Sequence, residues 1–330
     1  MPDATRPNAS GALLEPIRTV AVVGAGMAGL SCAGLLEEAG IAVTVFDKSR
    51  GPSGRLSTRR RAAGQWDHGA PYFEARNAAF RAQCRAWEAA GLVVEWGSDD
   101  TVERWVGVPR MSAIGRHLVG GLALETGIRV ASLVRQNAGW QLIDSEKRSH
   151  GLFDAVVLAI PAPQAAELVS AFPAVQAEVA AVTMLPVHTL LVAFEEGPAQ
   201  AAVLRPSSGP LKIVVPNWTK PERPSGTCWV AHTHSTWSRA RLETDPEALQ
   251  PMLLDAFQQA TGITTTPQRT MVHRWRYAHT DASAGWPEGH RWDPATRLGL
   301  TGDWCAGRGV EAAWQSGTAL ANRIRALREA

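Results

Sequence analysis

The sequence contains few cysteines and lysines, little net charge and no long apolar run. Its four cysteines are scattered over 330 residues, which fits a protein of the reducing cytoplasm. The first residues do not combine a basic region with an apolar one, so no signal peptide is predicted, and no run is long enough to span a membrane. With 33 Lys and Arg against 31 Asp and Glu, the net charge is +2. This balance gives no reason to expect a nucleic-acid or membrane partner.

What the sequence does contain is typical of a globular protein that binds a small molecule. Hydrophobic residues make up 45% of the chain and charged residues 19%. A chain of 330 residues is near the length at which one core divides, so two domains are predicted. Residues 1–16 are small and polar and contain three prolines, which predicts a flexible leader.

The residues after this leader have the pattern of a dinucleotide-binding βαβ unit. An apolar, β-branched run, Thr19–Val23, predicts a strand, and a helical pattern follows from Met27 to Ala39. A second predicted strand, Ile41–Phe46, ends at Asp47. Between the first strand and the helix lies a glycine-rich turn formed by Gly24, Ala25, Gly26, Met27, Ala28 and Gly29. This is the structural context that the glycine fingerprint requires.

Each glycine of this turn has an expected role. Gly24 permits the tight bend, Gly26 lets the backbone approach a pyrophosphate, and Gly29 lets the helix pack closely on the strand. The N–H groups at the start of the helix attract the phosphates. The carboxylate of Asp47 would accept hydrogen bonds from an adenosine ribose and repel a 2′-phosphate. The turn therefore predicts tightly bound FAD or NAD, and not NADP.

A basic loop directly after the second strand favours FAD over NAD. The loop begins at Lys48, and its glycines Gly51 and Gly54 bring Arg55 close to the bound phosphates. Such a loop is unusual for NAD dehydrogenases. Arg60 and Arg61 are expected to form a solvated face.

The rest of the chain predicts two kinds of sheet. Residues 127–143 and the buried strand Phe153–Ile160 are predicted additions to the first sheet, and Leu298–Asp303 is a strand before a closing helix, Gly309–Ala326. The region between them suggests a separate, mixed-sheet domain, with strands at Thr189–Phe194, Leu211–Val215 and Cys228–His232. The predicted FAD-binding domain comprises residues 17–76, 109–165 and 295–330, and the predicted substrate domain comprises residues 77–108 and 166–294.

Several segments together resemble the renalase group of flavin amine-oxidase-fold proteins, and most closely the bacterial renalases. These segments are Asp47–Arg60, Asp67–Phe73, Trp105–Ser112, Ile160–Pro163, Trp237–Arg239, His273–Ala278 and Gly302–Trp314. The resemblance covers nearly the whole chain. It implies an amine-oxidase-like α/β fold, in which a Rossmann-type FAD-binding domain with a three-layer ββα sheet carries a smaller mixed-sheet substrate domain.

The resemblance also implies how a non-covalent FAD is held. Gly26, Ala28 and Arg55 would contact the pyrophosphate and Asp47 the ribose, while Val130 would touch the adenine through its backbone. Pro71 and Tyr72 would border the isoalloxazine, Gly302 and Asp303 would hold the ribityl-phosphate, and Val310 would face the flavin pyrimidine. The full set of predicted cofactor-binding residues is Gly24, Ala25, Gly26, Met27, Ala28, Gly29, Asp47, Lys48, Arg55, Ala70, Pro71, Tyr72, Val130, Gly302, Asp303 and Val310. One departure is Ser53, where the family often has a second glycine beside Gly54.

The activity that the resemblance implies is oxidation of the 2-dihydro and 6-dihydro isomers of NAD(P)H to NAD(P)+, with O2 reduced to H2O2. A dihydropyridine expels hydride with its own nitrogen lone pair, so the site must stack the ring and exclude water without a general base. Tyr72, His232, Trp237 and His273 are the predicted substrate-site residues, chosen from a wider aromatic set that includes Trp218, Trp229, Trp275 and Tyr277. Cys228 and His232 have no second ligand pair nearby, so no metal site is predicted.

Two alternatives stay open. The first is an amine oxidase or desaturase of the same fold, whose flavin-adjacent lysine would have to be Lys212 or Lys220. The second is a flavin-binding protein without turnover, such as a redox sensor.

Overall fold

The fold is seen in a computed structural model that describes residues 16–99, 102–136, 139–196, 202–224, 226–281 and 284–329. The predicted leader, apart from Pro16, lies outside the described residues. The strands are β1 Thr19–Val23, β2 Ala42–Asp47, β3 Arg59–Arg61, β4 Gly64–Trp66, β5 Phe73–Glu74, β6 Val93–Asp99, β7 Val102–Gly107, β8 Ala123–Thr126, β9 Val130–Gln136, β10 Gly139–Asp144, β11 Ser149–Phe153, β12 Ala155–Leu158, β13 Met184–Phe194, β14 Leu211–Pro216, β15 Thr227–Thr233, β16 Arg269–Thr280, β17 Arg291–Asp293 and β18 Leu298–Leu300. The α-helices are α1 Met27–Glu38, α2 Ala78–Ala89, α3 Ser112–Val119, α4 Ala162–Leu168, α5 Pro173–Ala180, α6 Ser235–Arg239, α7 Pro246–Thr261, α8 Asp303–Ala306 and α9 Gly309–Glu329.

The main sheet has six strands in the order β17-β18-β12-β1-β2-β8. All of its pairings are parallel except that of the edge strand β17 with β18. Helix α1 provides the crossover between the parallel neighbours β1 and β2, which confirms the predicted βαβ unit. Because the carboxyl ends of β1, β2, β12 and β18 share one edge, the loops that follow them meet there.

Side chains of the main sheet alternate between two hydrophobic cores, and this alternation produces three layers. Val20 and Val22 pack on one face with Leu320 of α9. On the other face, Ala21 and Val23 pack in a core that includes Trp140 of the sheet β11-β10-β9. The predicted three-layer ββα arrangement is therefore confirmed.

A four-stranded sheet, β14-β15-β13-β16, forms the second part of the molecule. Every one of its pairings is antiparallel, where a mixed sheet was predicted. The ten residues that join β14 to β15 are too few for the crossover that parallel neighbours need. Leu249, Leu253 and Phe257 of α7 cover one face of this sheet and bury its apolar side chains.

A smaller sheet, β5-β7-β6, packs with α2 near the start of α1. Phe80 and Trp105 from this region share a core with Met27 and Ala28 of α1. The predicted domain boundaries stay a prediction. Among the described helices, none combines the length and the apolar composition that a membrane span requires.

Candidate active site

A cavity of about 1260 Å³ lies between the carboxyl edge of the main sheet and the antiparallel sheet. The loops after β1, β2, β12 and β18 form one wall, and residues of β14, β15 and β16 form the other. Ligands of open parallel sheets bind in the crevice outside the carboxyl ends of the strands. The cavity therefore lies where the sequence predicts the cofactor-binding site.

The glycine-rich turn has the geometry that its sequence predicts. Gly24 has a φ of +112°, which L side chains rarely adopt, and its N–H donates to the Phe46 carbonyl at 2.7 Å. A Cβ on Gly29 would lie 2.0 Å from the Gly24 oxygen, so only glycine lets the helix approach the turn. A Cβ on Gly26 would meet no atom of the described residues within 4 Å. The turn thus leaves open space at the amino end of α1, whose first turn carries no acidic residue.

Asp47 is fixed at the end of β2 by two backbone groups. Its carboxylate accepts hydrogen bonds from the Ala25 N–H at 2.8 Å and from the Ser49 N–H at 2.7 Å. A carboxylate has about four acceptor positions, so two bonds leave capacity for ribose hydroxyls. Asp47 and the next residue, Lys48, both line the cavity.

Arg55 and Asp303 are bonded directly to each other across the cavity wall. The Arg55 guanidinium donates to both carboxylate oxygens of Asp303, at 2.9 and 2.6 Å, and to the Ala278 carbonyl at 2.9 Å. Burial alone would lower the pKa of Arg55, but the Asp303 carboxylate outweighs burial and raises it. The sequence predicts separate contacts of these residues with FAD, and the structure adds a bidentate pair between them.

Ser53, the departure from the family pattern that the resemblance implies, adopts a backbone conformation that favours glycine. Its φ is +109°, and it is almost fully buried. Its N–H donates to the Ala25 carbonyl at 2.9 Å and its hydroxyl to the Ser112 carbonyl at 3.0 Å. These bonds hold the loop against the glycine-rich turn despite the strained φ.

Most of the other predicted cofactor residues also line the cavity. Ala25 and Gly29 are exceptions, because they do not line the cavity. Ala25 donates its N–H to Asp47, and Gly29 lets α1 pack closely on the turn. The lining residues of this set are Gly24, Gly26, Met27, Ala28, Asp47, Lys48, Arg55, Ala70, Pro71, Tyr72, Val130, Gly302, Asp303 and Val310.

Of the predicted substrate-site residues, Tyr72, His232 and His273 line the cavity and Trp237 does not. Trp237 lies on α6 and packs edge-on against the buried ring of His188 at 5.9 Å, with the Arg241 guanidinium 4.6 Å from its ring. It belongs to the core between the antiparallel sheet and α7. Trp218 and Trp229 pack in the same core, whereas Trp275 and Tyr277 reach the cavity.

His68 is a cavity residue that the aromatic set does not include. Its ring lies 4.9 Å from that of His273 and 5.2 Å from that of Trp275, and the last two rings are 4.5 Å apart. The Trp275 indole N–H donates to the His68 carbonyl at 2.9 Å. We call His68, His273 and Trp275 the ring cluster. In the sequence, the motif Asp67-His-Gly69 was the available signal for His68. The aromatic rings beside it belong to His273 and Trp275 on β16, which is distant in the chain.

Three histidines that line the cavity, His68, His232 and His273, are neutral at physiological pH. Burial, followed by the neighbouring His273 and Arg59, lowers the pKa of His68 to about 3. Burial is also the main cause that lowers the pKa of His232 and of His273 to about 4. A general base at neutral pH works best with a pKa near 7, and these three histidines lie well below that range.

The two candidate lysines occupy different places. Lys220 is buried and is not among the residues that line the cavity; its ammonium donates to Asp67 at 3.0 Å and to the Asn217 side-chain oxygen at 2.8 Å. Lys212 lines the cavity with an exposed side chain on the edge strand β14. Of the two, Lys212 alone reaches the cavity.

The fold and the cavity define a dinucleotide-binding oxidoreductase, and comparison with known families makes this specific. A family model described as a flavin containing amine oxidoreductase matches residues 105–325, and one described as an NAD(P)-binding Rossmann-like domain matches residues 22–87. The chain belongs to the flavin containing amine oxidoreductase family. Its cofactor is FAD, and the open space at Gly26 and the cation of Arg55 in the same cavity fit a dinucleotide.

Solved structures with this fold include oxidases of several kinds. A candidate protoporphyrinogen oxidase from Exiguobacterium sp. 255-15 is 12% identical, with a TM-score of 0.74 over 94% of this chain and 99% of that chain. Cyclohexylamine oxidase from Brevibacterium oxydans IH-35A is 14% identical, with a TM-score of 0.70 over 96% of this chain and 100% of that chain. An oxidoreductase from Methanosarcina mazei is 15% identical, with a TM-score of 0.63 over 92% and 99%. At these identities the likeness shows the shared fold alone.

Proposed function

We propose that the protein oxidises the 2-dihydro and 6-dihydro isomers of NAD(P)H to NAD(P)+. Bound FAD would supply the hydride acceptor, and O2 would take up the two electrons, the transferred hydrogen and one proton from solvent to give H2O2. The residues of this chain bind the dihydropyridine ring, orient it and exclude water. The FAD is held without a covalent bond by the cofactor residues described above.

The charge of the antiparallel-sheet wall is the observation that carries this proposal. Among the described residues, that sheet contributes no carboxylate to the cavity lining, but it contributes Lys212, Arg274 and Arg276. Arg276 forms an ion pair with Glu243, so Lys212 and Arg274 supply most of the uncompensated positive charge. An alkylammonium substrate would meet like charges on this wall, whereas the phosphates of a dinucleotide would be attracted. The wall therefore favours an anionic substrate over a cationic one.

The size and chemistry of the cavity agree with this proposal. Pockets for one small molecule measure roughly 300–1,000 Å³, and the cavity of about 1260 Å³ exceeds that range. It offers room for part of a second ligand beside the cofactor. The aromatic faces and edges of the ring cluster can pack against a dihydropyridine ring. This ring needs no base, because its nitrogen lone pair expels the hydride.

The direct test is aerobic turnover with borohydride-reduced NAD+, which contains the 2-, 4- and 6-dihydro isomers. The proposal expects NAD+ and H2O2 to form in equal amounts while the 2- and 6-dihydro isomers disappear and the 4-dihydro isomer stays. Free FAD at the same concentration is the control. Equal loss of all three isomers, or no loss above that control, would contradict the proposal.

Oxidation of a primary amine is the second candidate, because Lys212 lines the cavity and the family includes amine oxidases. The same peroxide assay with cyclohexylamine or putrescine in place of the dihydro isomers distinguishes the two. Peroxide with amines alone would assign the protein to amine oxidation.

A further inference from the structure

Arg59 contacts His273 of the ring cluster and is not among the residues that line the cavity. Its Nη2 atom is 3.1 Å from Nδ1 of His273. Arg59 is the first residue of β3 and is half-buried, whereas the next two arginines of that strand are exposed. His273 pairs with Thr189 in the antiparallel sheet and lines the cavity. The contact joins residues 214 positions apart in the sequence.

This contact determines which nitrogen of His273 carries the proton. A guanidinium has only donors, so Nδ1 of His273 must be the acceptor. Burial, the Arg59 charge and His188 lower the pKa of His273 to about 4, so the ring is neutral at pH 7. A neutral imidazole has one N–H, and here that N–H must be at Nε2.

Nε2 of His273 is available to a ligand. It has no hydrogen-bond partner among the described residues, and it is not one of their buried, unpartnered polar atoms. Nε2 is thus not fully buried, and His273 lines the cavity. The ring is held in place by the His68 ring, which is edge-on at 80°, and by the Trp275 ring at 74°.

We propose that Arg59 fixes His273 as a hydrogen-bond donor to the carboxamide oxygen of the dihydronicotinamide ring. This inference rests on the proposed function. The carboxamide oxygen is the strong acceptor attached to the reacting ring, and it pairs with Nε2–H. An alkylammonium group offers donors only, so it would leave Nε2–H unpaired. His273 thus contributes to substrate specificity, and Arg59 is a positioning residue that acts through it.

The first test determines which ring nitrogen of His273 is protonated, and it does not require catalytic turnover. Histidine labelled with ¹⁵N is introduced into the holoprotein, and His273 is assigned with the His273→Gln variant. We expect an unprotonated Nδ1 and a protonated Nε2 between pH 6 and 8. Arg59→Lys, which is also donor-only, should keep this state, while Arg59→Gln should give mixed tautomers. A protonated Nδ1 in the wild type would overturn the assignment.

The second test reads substrate binding through the concentration dependence of anaerobic flavin bleaching by the preferred dihydro isomer. Loss of the hydrogen bond in His273→Leu should weaken binding roughly tenfold. Arg59→Gln should weaken it less, about twofold, because roughly half of a tautomer mixture still carries Nε2–H. The limiting rate should stay nearly unchanged in both variants. The matched control is Arg60→Gln, which changes the exposed neighbour on the same strand. An unchanged apparent Kd in both variants would overturn the proposal.

Substrate analogues identify the atom that His273 contacts. The 3-acetylpyridine analogue keeps the carbonyl oxygen, so the roughly tenfold difference between wild type and His273→Leu should persist. The thionicotinamide analogue replaces this oxygen with sulfur, a weak acceptor, so the difference should vanish. A difference that persists with sulfur would contradict the carboxamide contact. If no isomer bleaches the flavin while the tautomer is as expected, the proposed function fails and the Arg59–His273 pairing stands.

Discussion

At the scale of single residues, the bond between Arg55 and Asp303 prepares the cavity for its cofactor. The side chain of Asp303 is 2% exposed, so without the guanidinium its carboxylate would be a buried, unpaired charge. The pair fixes both side chains before a ligand arrives, which reduces the ordering cost of binding.

Arg55→Ala should therefore weaken FAD binding. Losing a charge-assisted contact costs about 1.5–3 kcal/mol, which corresponds to roughly a 10- to 150-fold increase in the Kd for FAD. Titration of apoprotein with FAD, followed by flavin fluorescence, measures this change. Arg50→Ala is the control, because Arg50 is exposed in the same loop and does not line the cavity. Equal affinity in the two variants would exclude a role of Arg55 at the cofactor.

Sequence reasoning recovers the site where a local rule applies. The glycine-rich turn and Asp47 follow such rules, because their roles depend on a strand, a turn and a helix that are adjacent in the chain. No such local rule gives the positions of Trp237 and His68. Trp237, on α6, packs in the core instead of lining the cavity. His68 belongs to the site because it contacts rings of β16, which is distant in the chain.

At the scale of secondary-structure elements, α9 packs on α1 at a glycine. A Cβ on Gly317 would lie 2.2 Å from the Ala28 oxygen, in the first turn of α1. The same helix begins beside the cavity, where Val310 is part of the lining. The close approach of the two helices therefore sets where Val310 stands relative to the glycine-rich turn.

Gly317→Ala should destabilise the protein by about 1–3 kcal/mol, because the added methyl group must push α9 away from α1. Gly34→Ala is the matched control: Gly34 is also a helical glycine, but its Cβ would meet nothing within 4 Å. That control should be stabilising by about 0.5–1 kcal/mol. Urea unfolding measures both, and a stabilising Gly317→Ala would show that the helix contact is looser than described.

The elements of the main sheet were predictable and the pairing of the second sheet was not. The strands β1, β2, β12 and β18 are short apolar runs bounded by turns. The βαβ unit makes β1 and β2 parallel neighbours, whereas the places of β12 and β18 in the sheet were not predicted. Three strands of the second sheet, β13, β14 and β15, give equally clear apolar patterns, whereas β16, which carries many polar residues, was not predicted. Their partners, however, are set by long-range contacts such as β13 with β16, which no local pattern encodes.

At the scale of the whole molecule, a buried cluster around Asp67 joins separate parts of the chain. Its carboxylate accepts hydrogen bonds from Lys220 at 3.0 Å, from Arg223 at 2.7 Å and from the Met111 N–H at 3.1 Å. All three charged side chains are at most 1% exposed. Burial alone would raise the pKa of Asp67, but the two cations outweigh it and lower it to about 2.

Asp67→Asn should be strongly destabilising, because it leaves two buried cations without their counter-charge. The expected loss is about 3–5 kcal/mol of unfolding free energy. Asp255→Asn, on the exposed face of α7, should change it by less than about 0.5 kcal/mol. Urea unfolding at pH 7 compares the two variants. Similar free energies of unfolding would show that the cluster contributes little to stability.

The same cluster predicts how stability depends on pH. The folded-state pKa of Asp67, about 2, lies below its usual value of 3.8, so its contribution is fully present above pH 3.8 and is lost as the pH falls towards 2. The difference in unfolding free energy between wild type and Asp67→Asn should therefore shrink between pH 4 and pH 2. A constant difference across this range would contradict the assigned ionisation of Asp67.

The central claim is that the cavity accepts a dihydronicotinamide dinucleotide and not an amine. Anaerobic mixing of the holoprotein with purified 2-dihydro-NAD, 6-dihydro-NAD or a primary amine tests it most directly, with flavin absorbance as the readout. We predict rapid bleaching by at least one of the two dinucleotide isomers and none by the amine. Bleaching by the amine alone would contradict the claim, and a flavin that none of them bleaches would identify a binding protein without this turnover.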